Sequence, residues 1–515
     1  MDQHSGFYSI LWRSPEEEHA HAADRQPDCF PDLRLDQVVH AALRDPSEVM
    51  LEFCFWRPLQ QVDAVVWRQA TVRDLQREPL HHCVDDFCTS IRSMREMQER
   101  AQEYDIAPAR ARWLLDAALV VADACDALHD GLHNTMPVAP ALLALLAHLH
   151  GLISSKAYRD WTQTARQLSV ELAALRYTVH IDGGTVTVRH CRDETDYAAE
   201  IAHVFARFNN PVVRDEAPLR DGYRRINHVH AAILERVALL FPEVFARLAD
   251  FAASHADMLD PLLERFDREV RFYRAYQRLI APLRNAGLAF DLPQMDAQDR
   301  QEHAEDTFDL ALARQRMAAG ERMVSNDLHL EAGERCIVVT GPNNGGKTTF
   351  ARTFGQLHYL ARLGLPVPGR NVRLFLCDAI HTHFERQEQG DATRGKLQDD
   401  LLRMRDILRK ATPRSVVILN EVFSSTTAND ALGLARRIMG QLAARGVIAV
   451  YVTFLTELSR FDTHTVSMVS TVDDDDPTAR TFKIVRRAAD GRSYAMTLAA
   501  KYGVTRAQLL ERISP

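Results

Sequence analysis

The stretch from Gly341 to Thr348, "GPNNGGKT", constrains this chain more than any other. It fits G-x-x-x-x-G-K-[ST] in full, with the apolar run "CIVVT" before it and "TFARTFG" after it. A buried strand must lead in and a helix must lead out. The glycines allow a tight turn whose N–H groups converge on a phosphate, and the helix adds the positive end of its dipole. Gly341, Pro342, Asn343, Asn344, Gly345, Gly346, Lys347, Thr348 and Thr349 are therefore the expected nucleotide-binding residues. Lys347 is suited to neutralise β/γ oxygens, and the Thr348 hydroxyl to hold Mg²⁺. The ligand read from these residues is ATP or GTP.

A second half of such a site should lie on another strand of the same sheet. "SVVILNE", Ser415 to Glu421, supplies an apolar run ending in Asn420 and Glu421. Glu421 is the candidate to position and activate a water. Asn420 stands where an aspartate would hold a Mg²⁺-bound water, as a second-shell contact; its amide accepts a hydrogen bond but carries no charge. Two readings follow: a slow or differently tuned hydrolase, and a nucleotide binder that does not turn over.

At 515 residues the chain is too long for one compact core. Its 46% apolar and 26% charged content fits a globular protein, and no run is long enough to span a bilayer. Scattered cysteines and the lack of a basic, apolar leader point to a reduced cytoplasmic protein. A net charge of −8 means that contact with nucleic acid would need a local basic surface. Residues 31–45 read as a short amphipathic helix, and from Pro58 to about Met317 the periodicity is mainly helical. "YTVHIDGGTVTVRH" predicts a hairpin within that region. From Val324 short apolar strands alternate with helices, implying a sheet covered on both faces. The expected fold is α + α/β: a long helical, lever-like domain followed by a P-loop NTPase domain. "HHCVDDFC" at residues 81–88 puts His82 and Asp86 on one helix face but has no second ligand pair at a suitable distance, so a solvated helix is the reading. The basic stretches at 220–228 and 483–492 read as solvated faces that could touch phosphates.

"TGPNNGGKTTFARTFGQLHYLARLGLPVP" resembles the nucleotide-binding core of the MutS family of DNA mismatch-repair ATPases. The downstream order of elements is similar too, from "GKLQDDLLRMRDILRKATPRSVVILNEVFSSTTANDALGLARRI" to the ending "RSYAMTLAAKYGVTRAQLLERI". "FWRPLQQVDAVVWRQATVRDLQ" is similar to the opening of the family's helical core. The resemblance implies an N-terminal segment at 1–50, a helical core at 51–320 and an ATPase domain at 321–515. It also implies ATP with Mg²⁺, Lys347 and Glu421 as catalytic residues, and Asn343 near the γ-phosphate. Ser424, Ser425, Thr426 and Thr427 align with a signature loop that in the family reaches a dimer partner's nucleotide. Asp430 matches an acidic position there, and residues 381–389 match a switch segment. A homodimer through the ATPase domain and binding to structured duplex DNA follow as expectations, with no membrane association. The implied function is that of an ATP-binding, slowly hydrolysing protein in mismatch repair or related DNA maintenance; the alternative is a non-hydrolysing scaffold for a protein partner.

Three departures from the family pattern stand out. Asn420 replaces Asp, Phe454 occupies the switch position of a γ-phosphate-sensing His, and Phe423-Ser424-Ser425 replaces Gly-Arg-Gly. "SGFYSILW" superficially resembles the family's Phe-x-Glu mismatch wedge, but Ser9 stands at the Glu position. A strand or hydrophobic tether is expected there instead, in a shortened member without a mismatch-recognition domain.

Overall fold

The computed structural model describes residues 6–513 except 22–24, 45, 183–184, 192–227, 256–257, 386–394, 474–475, 477–478 and 490–503. The basic stretch at 220–227 and most of the family-like ending therefore lie outside the described residues. The chain forms two compact units, one comprising Met1–Phe7, Asp74–Val138 and Leu142–Asp267, the other Tyr8–Arg73, Ala139–Ala141 and Arg268–Pro515. These cuts fall at other places than the boundaries that the family resemblance implies.

The first unit is built on two long helices, Glu78–Glu103 and Ala107–Thr135, each with a proline in its first turn, where no backbone N–H is needed. The three-residue connection returns the second helix along the first. Leu80, Val84, Phe87, Cys88, Ile91 and Met94 recur at helical spacing and are buried. Gly131 is required by close approach: a Cβ there would lie 2.5 Å from Cys83 Sγ. Ala111, Leu115 and Ala118 extend the core to Ala165 and Leu168, and to Leu248 and Phe251. The expected hairpin is present as β1 (Tyr177–Asp182) and β2 (Thr185–His190), with Asp182 opposite Thr185. His82 bonds to its own helix at Glu78 O, 2.8 Å away.

The second unit carries a six-stranded sheet. Its strands are β7 (Cys336–Thr340), β10 (Ile380–Phe384), β11 (Val416–Asn420), β12 (Ile448–Val452), β13 (Thr465–Val472) and β14 (Arg480–Arg486). Their order is β10-β11-β12-β7-β13-β14, parallel except for the antiparallel edge strand β14. Val417 and Leu419 pack on the helices Lys396–Lys410 and Ala428–Arg445. Ile418 points to the other face, onto the helix Lys347–Arg362. Both faces are covered, which is why β11 and β12 are buried throughout and read as unbroken apolar runs. The edge strand β14 carries Arg480, Lys483 and Arg486, charges that discourage pairing with another chain.

One expectation needs correction. The region up to Met317 is not helical to its end, because β3 (Phe290–Asp291), β4 (Gln294–Asp296) and β5 (Glu302–Thr307) lie within it. Together with β6 (Asn326–Leu330), β8 (Val367–Pro368) and β9 (Arg370–Phe375), they form a four-stranded sheet, β4-β9-β5-β6, and a β3–β8 pair. Their sequence, "FDLPQMDAQDRQEHAEDT", is acid-rich and almost free of β-branched residues, so the usual strand signal is missing.

The N-terminal segment is a buried tether in the second unit. Ile10, Leu11 and Trp12 are buried, and Ser9 donates to both Glu269 oxygens at 2.8 Å. The Ser9 hydroxyl also accepts from Leu11 N and Trp12 N. Arg68, fully buried, donates to Leu11 O and Leu363 O and lies 4.5 Å over the Trp12 ring. The expected helix at 31–45 is split by left-handed Arg34 into Phe30–Leu33 and Leu35–Ala42. Leu33 meets the helix after the phosphate loop at Gly355, where a Cβ would stand 2.4 Å from Leu33 Cδ2 and 2.8 Å from Ile418 Cδ1. Helix propensity alone would make Gly355→Ala stabilising by about 1 kcal/mol. With both neighbours fully buried, the opposite is expected: a loss of about 1–3 kcal/mol by urea unfolding, from overpacking.

Candidate nucleotide-binding site

The loop Gly341–Gly346 leaves the end of β7 and enters the helix at Lys347. Gly341, Asn344 and Gly346 adopt positive φ values of 119°, 59° and 91°. Two glycines are also sterically required, because a Cβ on Gly341 would meet Ser470 O at 2.8 Å and one on Gly345 would meet Ser470 Oγ at 2.2 Å. Ser470, fully buried on β13, donates to Gly345 O at 2.6 Å. The loop is thus pressed onto β13 with its backbone, leaving a cradle that side chains would otherwise fill.

Lys347 curls back over this cradle. Its Nζ donates to Gly341 O at 2.9 Å, Pro342 O at 3.0 Å and Asn343 Oδ1 at 3.4 Å. Burial pulls Lys347 below its ordinary pKa; the Glu421 carboxylate opposes the shift and the Arg480 guanidinium adds to it. The lysine therefore lies within the electrostatic reach of both residues. Thr348 donates from Oγ1 to Asn420 Oδ1 at 2.9 Å, joining the loop to the end of β11. That bond leaves the hydroxyl's lone pairs for a cation, so the donor set suits Mg²⁺. Thr349 follows in the first turn of the helix, and its carbonyl accepts from Thr353.

Past Asn420 the backbone is strained. Glu421 and Phe423 have φ values of 53° and 65°, a region non-glycine residues seldom adopt. Glu421 is held there by its N–H, which donates to Val452 O at 2.9 Å. Phe423 is fully buried among the residues under the two covering helices, and this anchors the turn. Ser424 and Ser425 are exposed, Thr426 is half-buried, and Ser424 donates to Glu385 at 3.3 Å. Thr427 caps the next helix by accepting from Asp430 N, and its hydroxyl donates to the Asp430 carboxylate at 2.8 Å. Phe454, just beyond β12, is 51% exposed. Of the switch segment, His383 is buried and 3.2 Å from Asp400, while residues 386–389 lie outside the described residues.

The geometry thus joins the loop, Lys347, Thr348, Asn420 and Glu421 at the C-terminal ends of parallel strands, where open α/β sheets take their ligands. Sequence reasoning missed Ser470 and Arg480. Ser470 had one visible signal, a serine at an inward position of the apolar strand "TVSMVSTV". Among the described residues, no group of three His, Cys, Asp or Glu side chains is arranged to hold a metal ion, and no helix is long and apolar enough to cross a membrane.

A glycine-cradled loop closed by a buried lysine, with an acid just past the end of β11 in the same sheet, has the form of a P-loop. Residues 337–512 match the family model described as MutS domain V. That part of the chain is similar to domain V of MutS proteins. It is 29% identical over 194 residues to endonuclease MutS2 of Gemmatimonas aurantiaca, covering 37% of this chain and 24% of that protein. It is 30% identical over 188 residues to the DNA mismatch repair protein MutS of Thermotoga sp. (strain RQ2), covering 36% and 24%. Over 120 residues it is 35% identical to the DNA mismatch repair protein msh3 of Aspergillus fumigatus, covering 22% and 10%. The matches therefore span about a quarter or less of these relatives' length.

Proposed function

We propose that this chain binds ATP with Mg²⁺, hydrolyses it slowly and couples the cycle to DNA in mismatch repair or related DNA maintenance. The observation that carries the reading is the convergence of Lys347, the Thr348–Asn420 bond and Glu421 on one cradle. Mg²⁺, when bound, neutralises phosphate charge. Lys347 binds the β/γ oxygens, Thr348 presents its hydroxyl oxygen to the cation, and Glu421 takes a proton from the attacking water. Asn420 orients Thr348 without adding charge, which accounts for slow turnover. The exposed Ser424–Thr427 loop would meet a second copy, giving a homodimer with two composite sites. A reduced cytoplasmic setting fits the eight free cysteines.

A second reading, a nucleotide-gated scaffold for a protein partner, draws on Asn420 and on Phe454, which can neither donate to a phosphate nor orient a water. Steady-state ATPase measured with and without duplex, branched and single-stranded DNA separates the two. Stimulation by one DNA form, weakening as salt rises, supports the first. A flat response to every form removes the DNA role. Silence of both the parent chain and Glu421→Ala leaves the scaffold. Asn420→Asp replaces a neutral contact with a charge-assisted one, and is expected to tighten Mg²⁺ binding in the nucleotide complex about tenfold, near 1.4 kcal/mol. A Mg²⁺ titration of turnover reads that shift, and an unchanged midpoint would remove Asn420 from the metal side.

A further inference from the structure

The four-stranded sheet β4-β9-β5-β6 sets two histidines face to face. His303 on β5 and His329 on β6 are direct cross-strand partners. Their strand neighbours Glu302, Ala304, Leu328 and Leu330 are buried, so the alternation puts both imidazoles on the solvent side. There His303 Nδ1 and His329 Nδ1 stand 3.5 Å apart. Each ring is held from behind by an acid two residues further along the chain. His303 Nε2 lies 3.0 Å from Glu305 Oε1, and His329 Nε2 lies 3.3 Å from Glu331 Oε1. The sequence thus carries His-x-Glu twice, as "HAE" and "HLE", and the pairing of β5 with β6 sets the two histidines opposite each other.

The carboxylates decide what the inner nitrogens are. An ionised carboxylate has no hydrogen to give, so each Nε2 must donate to its glutamate. Glu305 is kept ionised, because bonds from Asn371 and then His303 hold its carboxyl below the ordinary pKa. A neutral imidazole with its proton on Nε2 presents a bare lone pair at Nδ1. Two such lone pairs, facing each other with no hydrogen between them, repel. A cation bound by both turns that repulsion into attraction. The spacing suits one, since two nitrogens each about 2.1 Å from a tetrahedral ion lie about 3.4 Å apart. A carboxylate behind a ligating histidine, fixing its tautomer and ring orientation, is the usual support of such a site. Arg373, opposite His303 on its other side, is drawn to Asp299 at 2.7 Å, and its charge is matched there.

We propose that His303 and His329 bind a divalent transition-metal ion of the zinc, nickel or copper class, with Glu305 and Glu331 as supporting carboxylates. Imidazole nitrogen selects this class over Mg²⁺ and Ca²⁺, which take oxygen ligands. The pair gives two ligands, and water completes the coordination. Both rings are partly exposed, so they can tilt toward one ion and solvent can reach it. The site is distinct from the Mg²⁺ expected beside Thr348 and does not depend on the nucleotide reading.

The test is calorimetric titration of the full, reduced chain with Zn²⁺ in excess Mg²⁺ and without nucleotide. Other thiols and imidazoles contribute equally to every variant, so the reading is the difference from the parent chain. Glu331→Gln keeps an acceptor but loses the charge, and should weaken one zinc site about 10-fold, the low end for loss of a supporting residue. His303→Ala and His329→Ala each remove a ligand, and should weaken the same site by more than about 100-fold on that scale. Zn²⁺ should also raise the urea midpoint of the parent chain and leave those of the two histidine variants unmoved. Equal zinc binding by the parent chain and both histidine variants would overturn the proposal. So would a loss in only one of them, which would place the ligands elsewhere. A parent chain that binds no zinc would leave the pair bridged by a shared proton and end the metal reading.

Discussion

Glu421→Gln is expected to bind ATP as tightly as the parent chain and to turn it over about 10²- to 10⁴-fold more slowly, the usual worth of a positioned general base. Glutamine keeps the size and hydrogen-bonding reach of the side chain, so the left-handed turn at φ 53° and its bond to Val452 O should persist. What is lost is the ability to take a proton. Lys347→Ala should behave differently, losing nucleotide binding itself, because its ammonium is the buried cation aimed into the cradle. Single-turnover hydrolysis beside a binding isotherm separates the two effects. A Glu421→Gln protein that hydrolyses ATP at the parent rate would remove Glu421 from the chemistry, whatever the binding result.

Glu302→Gln should be the most damaging substitution away from the site. His358, on the helix that follows the phosphate loop, is fully buried with its Nε2 3.2 Å from Glu302 Oε1. Burial alone would lower its pKa, but the Glu302 carboxylate and then Cys377 hold it up at about 10. Removing one member of a buried pair typically costs about 3–5 kcal/mol, because the other charge is left uncompensated. The pH dependence has a definite sign. A histidine whose folded pKa is raised from 6.5 to about 10 contributes its full stabilisation below about pH 6.5 and loses it progressively up to about pH 10. Urea unfolding across pH 6 to 10 should therefore show a steeper fall for the parent chain than for Glu302→Gln. Parallel curves would mean that the pair is not ionised in the folded protein.

What the sequence reveals here depends on whether a residue's partners are near it in the chain. The phosphate loop is legible because glycine, lysine and threonine act at fixed offsets within eight residues. The covered sheet is legible because β11 and β12 are buried on both faces and so read as continuous apolar runs. Glu421 is found by its place at the end of such a run, but its strained turn is not, since nothing in "NEVFSS" demands positive φ. Ser470 and Arg480 approach the loop from more than a hundred residues away, and only the pairing of β13 with β7 brings them there. The strands between Phe290 and Thr307 are hidden for a different reason: an acid-rich segment has no two-residue apolar rhythm. The tether at Ile10 to Trp12 was visible as apolar, but its anchor, Glu269, is fixed only by the fold.

The non-contiguous make-up of the sheet-bearing unit sets a timetable for synthesis. Residues 8–73 belong to a unit whose remainder, apart from Ala139–Ala141, begins at Arg268. On the ribosome, Ile10, Leu11, Trp12 and Phe30 emerge first, yet Glu269 and Tyr273, which bond Ile10, come roughly 260 residues later, and Tyr359, which packs on Phe30, roughly 330 later. At about 5–20 residues per second, that delay is about 15–60 s. During it the apolar tether can reach Arg68 but not Glu269 or Tyr273, while the helical unit can already fold. Newly made chains are therefore open to capture by chaperones or to aggregation in a window that the mature protein never revisits.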